Sequence, residues 1–73
     1  MEVIKEIYSL NKDYMAEVVK RKDGLYQVYV FVWDDEWDTW LQVTEGLSLT
    51  DNLQSAIGFA VEQLKNRGVV VDL

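Results

Sequence analysis

The stretch WDDEWDTW, residues 33–40, sets three tryptophans among four carboxylates: Asp34, Asp35, Glu36 and Asp38. Paired carboxylates can divide acid and base work when their surroundings separate their pKa values, as in glycosidases. Such chemistry needs a cleft, and a 73-residue chain offers little concavity. The chain has no histidine and no cysteine, so no ordinary nucleophile–base pair can be assembled. The residues therefore argue against an enzyme. Calcium loops place carboxylates at alternate positions around a turning glycine, and DDEWD has neither the spacing nor the glycine. An ordinary zinc site is excluded for want of ligands, and nothing in the pattern implies a cofactor. Two readings remain. In one, Trp37 at the apex anchors in a partner's pocket while Asp34, Asp35, Glu36 and Asp38 steer a basic protein toward it. In the other, the stretch is a hairpin corner whose acids keep it solvated while Trp33 and Trp40 serve packing.

The elements that hold this stretch follow from its flanks. Asp23-Gly24 is a favoured pair for a two-residue hairpin loop, in which both residues need positive φ. It lies between YMAEVVKR and LYQVYVFVW, both rich in β-branched and aromatic residues. Strands are predicted at about 14–21 and 25–33, with a third at 39–44 after a turn at 34–38. Leu53, Ala56, Ile57, Ala60, Val61 and Leu64 recur with the period of one helical stripe. Thr50 is the expected N-cap, with Asp51 in the first turn, a competing start at Ser48, and Gly68 as a left-handed C-cap. VVVDL at the end reads as a short closing strand. EVIKEIYSL could form a helical face, but it lacks a cap and reads better as a strand turning at NKD.

A two-residue loop at Asp23-Gly24 would pair Val18 with Tyr29, Ala16 with Phe31 and Tyr14 with Trp33. A five-residue turn at 34–38 would then pair Trp33 with Thr39. Tyr29, Phe31, Trp33, Leu41 and Val43 would face the helix, leaving Val28, Val30 and Val32 with Trp40 on the other side. That apolar ridge on the middle strand asks for a second cover. A homodimer across the ridge is the sharper expectation; a crossing terminal segment or a different protein partner would also serve. Phe59 lies off the helix's apolar stripe, and either tucks under the closing strand or marks a contact surface.

The chain is one domain, residues 1–73, short enough to need a dense core or a partner. Its formal charge is −6, and from Asp23 to Glu62 there are eight acids and no lysine or arginine. Such a field repels nucleic acid and attracts basic partners. Glu2, Lys5 and Glu6 interrupt the apolar run a secretory peptide would need, and no stretch is long enough for a membrane span. A cytoplasmic protein is expected, with no membrane contact.

YMAEVVKRKDGLYQVYV followed by GLSLTDNLQSAIGFAVEQLKNRG resembles the core of HicB-type antitoxin domains over about residues 14–73. Tyr14, Ala16, Val18, Asp23, Gly24, Tyr26 and Val28 match that family's strand–hairpin pattern, and Thr50, Leu53 and Ala56 match its helix start. WDDEWDTW stands where the family has a proline-containing segment with a glycine-cysteine, and no carboxy-terminal DNA-binding extension follows. The resemblance implies an acidic, dimerising protein that occludes a small basic RNA-cleaving toxin.

The sequence thus predicts an α+β domain: an antiparallel meander of three to four strands, one helix on one face, and a short final strand. The expected function is a non-enzymatic protein-interaction module, homodimeric, antitoxin-like or inhibitory toward a basic partner. An acidic DNA mimic from a phage or mobile element is the alternative. The expected partner-binding residues are Val28, Val30, Val32, Trp37, Trp40, Phe59, Asp34, Asp35, Glu36 and Asp38.

Overall fold

The computed structural model describes residues 1–44 and 46–72. The elements run β1 (Glu2–Ser9), β2 (Tyr14–Lys20), β3 (Tyr26–Asp34), β4 (Thr39–Gln42), β5 (Leu47–Thr50), α1 (Leu53–Lys65) and β6 (Val71–Asp72). They form an antiparallel sheet in the order β4-β3-β2-β1-β6, with β5 following β4 along the same edge of β3. One helix packs on one face. The α+β architecture is the expected one, and the opening segment is a strand, as expected; the sixth strand among the described residues is β5, which lies between the expected third strand and the helix. The closing strand is also present; its last expected residue, Leu73, lies outside the described residues.

Both hairpin turns differ from expectation by one residue. The first loop has three residues, Lys22–Gly24, closed by Arg21 N–H donating to Leu25 O at 2.8 Å. Gly24 alone takes the left-handed conformation, φ 85°, and the Asp23 carboxylate accepts from Leu25 N–H at 3.1 Å. A three-residue loop of this kind commonly ends in a left-handed glycine. The second turn has four residues, Asp35–Asp38, between the paired Asp34 and Thr39. Asp34 Oδ1 accepts from the backbone N–H groups of Glu36 and Trp37 at 2.9 and 3.3 Å, and Asp38 turns the chain at φ 53°. Short polar side chains tolerate that region best.

The side-chain period of a strand is two, so the first one-residue change turns β3 over relative to β2, and the second turns β4 over relative to β3, which leaves β4 facing as expected. Val18 now opposes Val28, Ala16 opposes Val30, and Tyr14 opposes Val32. Val28 and Val30, from the valine ridge expected to stand open, therefore lie under the helix, with Val32 half-buried on the same side. Val28, Val30, Ala16 and Val18 are fully buried with Ala56, Ala60 and Leu64, and Ile7 of β1 completes the cluster. Alanines at 56 and 60 present little bulk, and the valines fill the layer beneath. Each buried valine, leucine or isoleucine is worth about 2 kcal/mol, which matters in a chain with no disulfide.

The helix starts later than predicted. Its N-cap is Asn52, whose side chain accepts from Ser55 N–H at 2.9 Å. Thr50 ends β5, its Oγ1 accepting from Asn52 N–H at 3.2 Å; Asp51 precedes the cap, and Ser48 lies within β5. At the other end the C-cap is Asn66, in the right-handed region, and the left-handed residue is Gly68, two positions further on, at φ 76°. Between β4 and β5 the edge strand leaves β3, and Thr44 Oγ1 accepts from Val30 N–H at 3.0 Å. Gly46 sits in this break. A Cβ there would lie 2.7 Å from Gln27 Nε2 and 3.0 Å from Tyr29 Oη.

Candidate interaction surface

The sheet face away from the helix carries side chains from four strands, and among the described residues no second layer lies over it. Its positions are Val3, Glu6 and Tyr8 on β1; Met15, Glu17 and Val19 on β2; Gln27, Tyr29, Phe31 and Trp33 on β3; Trp40 and Gln42 on β4. Every second residue of β3 from Tyr29 to Trp33 is aromatic, and the pleat sends all three to this side. Met15 and Val19 are nearly covered, 3% and 5% exposed, although no helix lies on them. Their larger neighbours on β1 and β3 shield them. Tyr8, Tyr29, Phe31, Trp33 and Trp40 remain half-exposed.

The two turn tryptophans meet on this face. Trp33 opposes Trp40, with ring centroids 5.3 Å apart in an edge-to-face arrangement. Val43 N–H donates to Val30 O, so by alternation Trp33:Trp40 is a non-hydrogen-bonded pair, where facing side chains come closest. Tyr8 extends the ridge, its ring 6.1 Å from that of Trp40. The expectation that Trp33 and Trp40 point to opposite faces is thus corrected; the four-residue turn puts them together.

Two carboxylates sit among these rings. Glu6 and Glu17 are cross-strand partners, and like charges directly opposite each other repel. Partial burial raises the Glu17 pKa above the usual glutamate range, and the Glu6 charge raises it further. The Tyr8 hydroxyl, which donates to Glu6 Oε1 at 3.2 Å, is likewise pushed up, first by loss of solvent and then by that hydrogen bond and the nearby acids. The ion pairs among the described residues are Lys12–Asp72 and Arg21–Asp23; neither involves Glu6 or Glu17. A hollow of about 260 Å³ opens beside Glu17, walled by Val3, Val19, Tyr29 and Phe31. A larger one, about 330 Å³, lies between the Leu10-Asn11 turn and Gly68–Val70, and no ionisable side chain lines it.

The residues singled out from sequence are dispersed. Val28 and Val30 are buried under α1 and Val32 is half-buried beside it, so they offer no open ridge. Trp37 is 76% exposed at the turn apex, with Asp35, Glu36 and Asp38 exposed around it and Asp34 capping the turn. Phe59 is 38% exposed on the outer helix surface. Only Trp40 belongs to the aromatic face. Among the described residues no group of three or more acids is placed to hold a metal ion, and no helix is long and apolar enough to cross a membrane. Sequence reasoning missed Glu6, Tyr8, Tyr29, Phe31 and Trp33 as surface residues, and gave Glu17 no part in a site. The signal that could have found them is the alternation Tyr29-Phe31-Trp33 set against Ala56 and Ala60, since a helix with alanines on its inner stripe leaves little height for three large rings. No family model, curated protein or solved structure matches the chain.

Proposed function

We propose that this chain is a non-enzymatic protein-interaction module whose working surface is the uncovered aromatic face of its sheet. The observation that carries this reading is the continuous run of Tyr8, Trp40, Trp33, Phe31 and Tyr29 across β1, β3 and β4, with no layer above it among the described residues. A one-sided antiparallel sheet ordinarily turns polar residues to water. Contiguous apolar surface of this kind marks interaction sites, and large aromatics dominate binding energy at such sites. In its most specific form the module is antitoxin-like or inhibitory, masking the functional surface of another protein.

Self-association through Val28, Val30 and Val32 is not part of this proposal, because the helix already occupies that side. The DNA-mimic alternative gains no support from the placement of the acids. They lie at the β3–β4 tip, on the open face, on the helix and at the β6 edge, which are different sides of the molecule. The test compares proteins retained from native cell extract by the wild-type chain, by Phe31→Ser/Trp40→Ser, and by Val70→Ser as a control away from the face. The wild type and control should retain the same protein, and the double variant should lose it with its circular dichroism unchanged. Equal recovery by all three would remove the face from the function.

A further inference from the structure

We infer that the occupant of the open face is a cationic segment of a partner protein, anchored by a lysine or arginine side chain seated at Glu6 and Glu17 against Tyr29 and Phe31. This rests on the reading of the face as the working surface, and names what the face takes.

Charge complementarity carries the argument. Two carboxylates stand opposite each other in the body of a face whose other polar strand positions include the uncharged Gln27 and Gln42, and neither carboxylate takes part in an ion pair among the described residues. Arg21, at the hairpin end of this face, is already held by Asp23 at 3.0 Å. The hollow beside Glu17 has aromatic walls on one side and aliphatic walls on the other, with Met1 and the Gln42 amide also on its rim. A guanidinium or ammonium group with its methylene stem suits that lining: the stem packs on Val3 and Val19, and the charge meets the carboxylate and the ring faces. The chain shows the same chemistry at its own edge, where Lys12 Nζ lies 5.1 Å from the Tyr8 ring centroid and 3.3 Å from Asp72 Oδ2. Glu17, disfavoured as a charge by partial burial and by Glu6, would be relieved by an incoming cation.

A second copy of the chain fits less well. Face-to-face pairing of two copies would bring four carboxylates into one drying interface without a base to meet them, and an unpaired charge loses its water at high cost. A basic partner turns that liability into attraction, and the charge of −6 steers it during approach.

The experiment uses the full chain carrying Trp37→Phe, so that fluorescence reports only Trp33 and Trp40. The probes are two capped octapeptides of alternating valine and arginine, or valine and citrulline, the neutral isostere of arginine. The arginine peptide should change the fluorescence saturably and the citrulline peptide should not. Glu6→Gln/Glu17→Gln should weaken binding by about tenfold or more. Asp35→Asn/Glu36→Gln, the same charge change at the hairpin tip, should weaken it by less than about threefold. Equal loss in both double variants would reduce the effect to net charge and overturn the site. Citrulline binding as tightly as arginine, or neither peptide binding at millimolar concentration, would overturn the cation. Sedimentation showing wild-type dimers that Trp40→Ser abolishes would make a second copy the occupant. If Phe31→Ser/Trp40→Ser loses its cellular partner while Glu6→Gln/Glu17→Gln keeps it, the interaction face stands and the anchoring inference alone falls.

Discussion

Glu17 keeps its charge at the expense of the folded chain. Its carboxylate is partly withdrawn from water and opposes Glu6 across the β1–β2 ladder. Since its pKa is raised in the fold, the native chain binds the proton more readily than the unfolded chain does. Stability therefore falls as pH rises from the ordinary glutamate value, about 4.3, through the raised native value, and above that the loss is complete. Glu17→Gln should remove the repulsion and raise the thermal midpoint at about pH 7 by roughly 2–4 °C. The two midpoints should converge near about pH 4, where glutamate is largely neutral in both states. A thermal melt series across that range checks the sign; a lower midpoint for Glu17→Gln at neutral pH would contradict it. Ser9 is the opposite kind of residue, a buried polar group that is satisfied. It is fully buried, its hydroxyl donates to Asn11 Oδ1 at 2.8 Å, and it accepts from Tyr14 N–H at 3.0 Å. Ser9→Ala should cost about 1–3 kcal/mol by urea unfolding, because Tyr14 N–H loses its acceptor.

The helix was legible from its stripe and its left-handed glycine, and β2, β3 and the first hairpin from residue type alone. What the residues did not settle was the length of each connection. Asp-Gly serves a two-residue loop with two positive φ angles, and it serves equally the last two positions of a three-residue loop in which Gly24 alone is positive. The local chemistry is almost the same and the register differs by one. The helix start was ambiguous in the same way, with Ser48, Thr50 and Asn52 all competent to cap. Asn52 has the role because β5 continues through Thr50 in pairing with Tyr26, which holds Thr50 in the sheet. Asn52→Ala should therefore destabilise the chain by about 1 kcal/mol, whereas Thr50→Ala, which loses one exposed contact to Asn52 N–H, should cost less. Urea midpoints of the two variants decide between the caps. A larger loss for Thr50→Ala would restore the earlier start.

Those two turns fix the design of the whole molecule: the first decides which side of β3 is core and which is surface, and the second sets Trp40 of β4 beside Trp33. Val30 and Phe31 are adjacent in sequence and face opposite ways. Val30 is fully buried beneath Ala56 and Ala60, and Phe31 lines the open hollow beside Glu17. A chain of this length has a stability of about 4–11 kcal/mol. Val30→Gln puts an amide with no hydrogen-bond partner into a layer already filled, and should cost about 3–5 kcal/mol, enough to unfold much of the population. Phe31→Gln removes ring surface that is only half covered, and should cost about 1 kcal/mol while leaving the fold intact. The shifted register would reverse this order: the phenylalanine would be the core residue and the valine the dispensable one. Chemical unfolding of the two variants therefore tests the first turn, which sets β3 against β2. The functional consequence runs the other way from the stability, since the well-folded Phe31→Gln is the variant that should lose its partner. A chain that unfolds with Phe31→Gln and tolerates Val30→Gln would return the aromatic residues to the core and leave the open face to the valines.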